Sequence, residues 1–510
     1  MRTNRRMLRL ILFAGFFLRI SGAPLTAQVH RSPMAEKWYP AGKAELARSL
    51  EKAFEAAESR AGGVPPRKKL RALVAPHAGI QYSGVVAASA YRLLDNPKNV
   101  ILLGFSHQKP LRGVAAPRLE AYVTPLGSIR VNREALAELG FPSAGEDALC
   151  DHSLENQLPF VQHAAPDAAV VPLYAGELSR KELIAAAAKL AARIRKGDVV
   201  VASSDFTHYG KAYGYLPYPN DEKIRTRLFN QAMHAFEEIG SIQIGEFDSY
   251  LSATGDTICG QQPIRLLMAT LAHLEKDEEI YLQPADYLTS GDLTGDYSMS
   301  VGYGALAFYP ASAFQVGPDD QGRLLASARQ TLDRYLTEKT KAEVPVPTVE
   351  RSPDLMQRNG VFVTIKKNGE LRGCVGTCAG NKSLWDIVPD RTLAATSADP
   401  RFPALTREEG PVSLEISLLT PVKKIAGWKA FRTGKGAILL LDDKAGTLLP
   451  QIAGEMGWNR EEFLENLARK AGLDPSAYRH PRARLYVFEA QVFAEPSGET
   501  ANGNSHSSQQ

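Results

Sequence analysis

Three histidines share one local pattern, an apolar run followed by a short polar turn that carries the imidazole. His77 follows RALVAP, His107 follows NVILLGF within GFSHQ, and His208 follows DVVVASS within SSDFTHYG. Cys259 lies in TGDTICGQQPI, where Gly255 and Gly260 bracket a turn before an amphipathic helix. Imidazole nitrogen and thiolate sulfur both suit iron, zinc and copper, and two histidines with one anionic ligand leave positions open for a substrate or O₂. Structural zinc sites use close-spaced ligand pairs, whereas ligands drawn from separate strand ends fit a catalytic centre. The candidates for such a centre are the three strand-end histidines, His77, His107 and His208, together with Cys259, and the residues alone leave open which imidazoles would bind. Asp205, three residues before His208, could orient an imidazole or take a proton.

Around this set lie candidate substrate contacts. Tyr82 and Ser83 follow His77 in PHAGIQYSG, and His152 and Glu155 stand three apart in DHSLENQLPF, which puts them on one helix face. Each has a plainer reading. A single loop histidine is more often a hydrogen-bonded structural group, Asp205 could be a turn aspartate, and Asp151 could simply cap a helix beside a solvated Glu155. The shared strand-end placement of His77, His107 and His208 is what favours a site over three unrelated imidazoles. Cys150 is expected to be buried and inert, and His163, His234 and His273 to be structural or surface groups.

To bring those residues together the chain needs a sheet whose strands end at one rim. From about residue 71 to 310, runs such as RALVAP, NVILLGF, AAVVPLYAG, DVVVASS and GYGALAFYP alternate with helical stretches such as SGVVAASAYRLL, NREALAELG and PIRLLMATLAHLEK. That alternation predicts an α/β domain with a central sheet flanked by helices. Residues 311–322 gather Gly, Pro and Asp and read as a linker. Beyond it, a helix-like GRLLASARQTLDRYLTEK precedes strand runs with a KNG turn, a helix EEFLENLARKAG and a last strand ARLYVFEAQVFAE, which predicts a smaller α+β domain. Domain limits of 28–310 and 323–495 follow, with a disordered Ser/Asn/Gln-rich tail from 496 to 510.

A length of 510 residues requires more than one core, and a net charge of +4 with interspersed signs gives no footprint for nucleic acid. Residues 1–27 combine arginines, the apolar run Leu10 to Leu18 and small residues up to Ala27. This is the build of an export signal, loosely of the twin-arginine kind, and predicts an exported mature protein with no stable membrane span; an uncleaved N-terminal anchor is the alternative. Four cysteines in a chain this long are not a disulfide framework, although Cys374 and Cys378 could pair in an oxidising compartment.

The ordered segments PHAGIQYSG, LLGFSHQ, TPLGSIRV, DHSLENQLPF, SSDFTHYG and TICGQQPI resemble the Memo family over about residues 60 to 310. The resemblance implies a fold like that of the class III extradiol dioxygenases, which use non-haem iron, with His77, His107 and Cys259 as the metal ligands, His208 nearby as the candidate acid/base group and Asp205 in the same matched segment. A thiolate replaces the carboxylate of the usual extradiol ligand set, which also suits copper. GVFVTIKKNGELRGCVGT, ADPRFPALT and LLPQIAGEMGWNREEFL resemble the AMMECR1 family over about 322 to 493. Fusion of the two resembles a system that includes a radical-SAM protein, which is the implied partner. In this second domain Arg372, Cys374, Asp399 and Arg401 are candidates for a pocket that takes an anionic or peptide ligand. The expected activity is a metal-dependent oxidoreductase using Fe(II), with copper or zinc as other candidates. The alternatives are a non-catalytic module that docks a radical-SAM protein or peptide, and a metal-dependent hydrolase.

Overall fold

The computed structural model describes residues 28–61, 69–144, 150–338 and 352–496. Residues 1–27, read above as an export signal, and the tail from residue 497 on lie outside the described residues.

In the first domain the strand Asp198–Ser203 sits between Ala72–Ala75 and Asn99–Gly104, and Ala169–Ala175 lies beyond the latter, all four parallel. Their runs are almost wholly apolar because both faces are covered. Alternation sorts the side chains. Leu73, Ala75, Val100, Leu102 and Val201 pack with helices Lys43–Arg60 and Ile80–Tyr91 on one face. Ala72, Val74, Ile101, Leu103 and Val200 pack with Arg180–Arg193 and Gln261–Leu274 on the other. The long strand Met299–Pro310 adds antiparallel to Ala72–Ala75, and Val114–Pro117 adds antiparallel to Ala169–Ala175. A separate three-stranded sheet joins Val29–Arg31 to the hairpin Ala121–Thr124 and Gly127–Arg130.

Register places the functional rim. Ala75 pairs with Ser203 and Leu103 with Ala202, so the loops after these three parallel strands leave the sheet at the same level. His77, Asp205 and His107 are two or three residues past those strand ends, on neighbouring strands. Ligand sites of open parallel sheets form at such carboxyl ends.

The second domain holds two four-stranded antiparallel sheets. KNG is the turn of the hairpin Val361–Lys367 and Glu370–Thr377, with Asn368 and Gly369 both at positive φ (54° and 84°), as a two-residue hairpin turn demands. Two expectations are corrected here. ARLYVFEAQVFAE is not one strand: it breaks at Glu489, and Arg484–Phe488 pairs in one sheet while Ala490–Ala494 pairs in the other. The helix expected from Gly322 also starts earlier, inside the segment 311–322 read as a linker. Ala311–Phe314 is a 3₁₀ turn and the helix Pro318–Glu338 has already begun, with Pro318 leading and Asp319 and Asp320 in its first turn, where proline and acidic residues favour a helix start.

The two domains share a polar seam. Lys423, nearly buried, bonds Glu275, Lys424 Nζ lies 2.5 Å from Glu238, and the Tyr486 hydroxyl donates to Glu237 at 2.5 Å. Among the described residues no helix is long and apolar enough to cross a membrane.

Candidate metal centre

His77 is 2% exposed and fixed on every side. Its backbone N–H donates to Asp205 Oδ1 at 2.8 Å, and its carbonyl accepts from Asn156 at 2.7 Å. Its Nδ1 lies 2.9 Å from Ser203 Oγ. That hydroxyl already donates to the Ser153 carbonyl and accepts from Gln157 Nε2, so its remaining role toward His77 is to accept. Nδ1 therefore carries the proton, and the Nε2 lone pair faces Cys259 Sγ, 3.3 Å away. Two ligands of one small ion, each ~2.0–2.3 Å from it, stand roughly 3–3.5 Å apart, so this spacing fits a shared metal.

His107 is held in the same way. Asp151 accepts its backbone N–H and its Nδ1–H, both at 2.8 Å, which leaves Nε2 free. Such a carboxylate behind an imidazole fixes tautomer and orientation for metal binding. Burial alone would raise the Asp151 carboxyl, but the bonds from His107 and the Ser153 N–H outweigh it and hold it at about 2. Asp151 also caps the helix His152–Glu155 through Ser153, so the capping reading of this residue holds alongside its work on His107.

His152 joins the centre. Its ring stacks between Trp38 and His107, at centroid distances of 4.2 and 4.0 Å, and one ring nitrogen each of His77, His107 and His152 lies within 4.8 Å of the other two. A second overlapping set, His77, Asp205 and Cys259, meets the same distance limit. Burial, reinforced by the neighbouring imidazoles, pushes His77 well below its ordinary value and His152 down to about 3, so both are neutral donors. Burial raises the Cys259 thiol and the Asp205 carboxyl. An all-nitrogen set and an overlapping mixed nitrogen, sulfur and oxygen set, with imidazoles oriented from behind, fit a transition metal.

Gly260 permits the approach of Cys259. A Cβ there would meet the Ser203 carbonyl and the Ser204 Cβ at 2.4 Å each. The thiol loop thus presses directly on the end of the strand that supplies Asp205, and the Cys259 N–H reaches the Asp205 carbonyl at 3.4 Å.

His208 stands at the edge of the same rim, half-buried. Its Nδ1 lies 2.8 and 3.1 Å from the carbonyls of Phe206 and Thr257. Both can only accept, so Nδ1 bears the proton and Nε2 is left to exchange one with a bound molecule. Tyr213 meets the His208 ring edge-on at 5.2 Å. Tyr303 is 2% exposed, and burial, with Asp205 and Tyr213 nearby, raises its hydroxyl; Tyr82 is 42% exposed.

Two residues expected near a substrate point elsewhere. The Ser83 hydroxyl donates to the Ala78 carbonyl at 2.9 Å, closing the first turn of its helix. Glu155 turns away to His30, because the helix is a single turn in which His152 and Glu155 diverge. Ser203, Gln157, Trp38 and Tyr303 went unassigned in the sequence, and Asp151 was read only as a helix cap; DHSLENQ supplies Asp151 and Gln157, and its density of polar residues in an otherwise apolar setting was the available signal.

The lineage follows from comparison. A family model described as Memo-like protein matches residues 31–307, more than half of the chain. The chain belongs to the Memo family. The AMMECR1 family model matches residues 325–493 of the same chain. A MEMO1 family protein of Methanopyrus kandleri is 33% identical over 297 residues, covering 55% of this chain and 99% of its own length. A memo-1 homolog of Caenorhabditis elegans is 29% identical over 327 residues, covering 60% and 89%. An uncharacterized protein of Pyrococcus horikoshii, known as a crystal structure, is 32% identical, covering 34% of this chain and 91% of its own, with a TM-score of 0.33.

In the AMMECR1 segment, the Memo domain's partner in this chain, three of the four pocket candidates converge. Asp399 accepts the Cys374 N–H at 2.8 Å and is paired with Arg401, whose guanidinium also reaches the Cys374 carbonyl. Arg372 is drawn off into a two-bond pair with Glu409. Cys374 and Cys378 are both free thiols, and burial raises each of them. A cavity of about 360 Å³ between the domains is lined by Cys378, Asn359, Phe236 and Lys424 among others, and not by those four candidates.

Proposed function

We propose that the Memo domain binds a redox-active metal, iron(II) or copper, through His77, His107 and Cys259, and acts as a non-haem oxidoreductase of the extradiol dioxygenase type. The observation that carries this is the His77 Nε2 to Cys259 Sγ separation of 3.3 Å with the opposite ring nitrogen locked on Ser203. His152 would supply a further nitrogen. When bound, the metal would supply Lewis acidity and redox chemistry to a coordinated substrate. The chain's own part is to orient the imidazoles through Asp151 and Ser203, to keep Asp205 under the His77 loop, and to hold His208 Nε2 ready to take or return a proton. Export through the N-terminal signal, and docking of a radical-SAM protein or peptide on the AMMECR1 domain, belong to the same proposal.

The overlapping three-histidine set favours a second reading, a zinc-dependent hydrolase with His208 as base, since three histidines also suit catalytic zinc. Anaerobic purification without chelators separates the two. Bound iron that gives a nitric oxide adduct signal in electron paramagnetic resonance, altered in Cys259→Ser and lost in His77→Ala, is the expected result. Stoichiometric zinc with oxygen-insensitive turnover would favour the hydrolase, and unchanged metal content in His77→Ala would overturn both.

A further inference from the structure

The segment from Cys150 to Glu155 divides its side chains between two places. Asp151 and His152 serve the centre described above, whereas Cys150 and Glu155 turn to the opposite side and meet His30 from the strand Val29–Arg31. His30 Nε2 lies 3.2 Å from Glu155 Oε2, and Cys150 Sγ lies 3.6 Å from His30 Nδ1. Glu155 is 0% exposed, and its Oε1 has no hydrogen-bond partner among the described residues. His30 meets one carboxylate oxygen, and the other, buried without a partner, is costly unless a donor or a metal ion meets it. Cys150, half-buried, leaves a route from solvent.

We propose that His30, Cys150 and Glu155 form a second metal site, distinct from the centre at His77 and Cys259, for a thiophilic divalent ion such as zinc or copper. A nucleophile relay is the competing use of these three residue types, and the geometry argues against it. In a relay the imidazole separates thiol from carboxylate. Here one donor atom from each residue lies within 4.8 Å of both others, so sulfur and carboxylate oxygen converge on the same space. Thiolate, imidazole and carboxylate are all recognised zinc ligands, and the orphaned Glu155 oxygen would gain a partner on binding. Binding displaces the thiol proton to solvent, so affinity should rise with pH.

The test is cobalt(II) titration of the chelator-stripped full chain, read by the near-ultraviolet charge-transfer band of each thiolate contact. Wild type, Cys150→Ser, Cys259→Ser and the double variant are compared. The expected result is a band in Cys259→Ser at about half the wild-type intensity, abolished by adding either Cys150→Ser or the milder His30→Gln. Loss of the whole band in Cys259→Ser, or a band there that survives Cys150→Ser, would overturn the second site. A missing band in Cys150→Ser would instead count against thiolate ligation at the first centre and leave this site standing. Alkylation of Cys150 by iodoacetamide should slow at least tenfold with cobalt bound to Cys259→Ser; equal rates would also overturn the proposal.

Discussion

Asp151 accepts two bonds from His107 and one from Ser153, so a single carboxylate links a candidate ligand to a helix start. Those roles separate on substitution. In Asp151→Asn the amide oxygen can still cap, since Asn caps as well as Asp, and stability of the metal-free protein should change by less than about 1 kcal/mol. The lost charge behind His107 should weaken metal affinity about 10- to 100-fold. Urea unfolding and metal titration read the two separately, and unchanged affinity would reduce Asp151 to a cap. In the second domain the Arg401 guanidinium, with the N–H groups of Cys374 and Arg401, holds Asp399 at about 2, against 3.8 for the free group. A depressed carboxyl stabilises the fold above its unfolded value, and that contribution is lost as pH falls from about 4 through about 2. With the Arg401 side chain 49% exposed and screened, its size is about 1–2 kcal/mol. Asp399→Asn should therefore be less stable than wild type by that amount at pH 6, with the gap closing near pH 2 in chemical unfolding.

The strand ends that carry His77, Asp205 and His107 are where element geometry becomes chemistry. Cys259 arrives there on a loop instead, and Gly260 fixes how closely it can come. Gly260→Ala would drive a methyl group into the Ser203 carbonyl. Relief requires the loop to retreat, at a cost of about 1–3 kcal/mol in unfolding free energy and with loss of the thiolate-to-metal band. An alanine variant of wild-type stability with the band intact would contradict this contact. The same elements explain what could be read in advance. Parallel strands buried on both faces appear as unbroken apolar runs, so the ends after Ala75, Gly104 and Ser203 were visible, and with them the histidine pattern. Single-turn geometry was not visible. On the short helix His152–Glu155 the three-residue spacing suggested one shared face, but capping by Asp151 and packing of Trp38 sent the two side chains to different clusters. Nor did ARLYVFEAQVFAE show its break at Glu489, because both halves are apolar and only tertiary pairing assigns them to separate sheets.

Across the whole molecule, the two families meet through charges taken out of water. Lys423 is 6% exposed and bonds Glu275 and the Ile280 carbonyl, while Lys424 meets Glu238, itself 2% exposed. Burial lowers the Lys423 ammonium despite Glu275, which marks how fully the seam is desolvated. Such pairs add little net stability against an apolar replacement, but removing one partner strands the other charge at about 3–5 kcal/mol. Lys424→Ala leaves Glu238 with His234, on a side chain 53% exposed, as its remaining partner. Wild type should unfold calorimetrically in one cooperative step, since each domain's unfolding exposes the other's buried charges. Lys423→Ala combined with Lys424→Ala should split that step in two, the domains then melting independently. Replacing both lysines with methionine tests the cause: the pairs are removed but apolar contact is restored, so a single transition should return if packing joins the domains. Two transitions in the methionine variant would show that the ion pairs themselves couple the Memo and AMMECR1 domains.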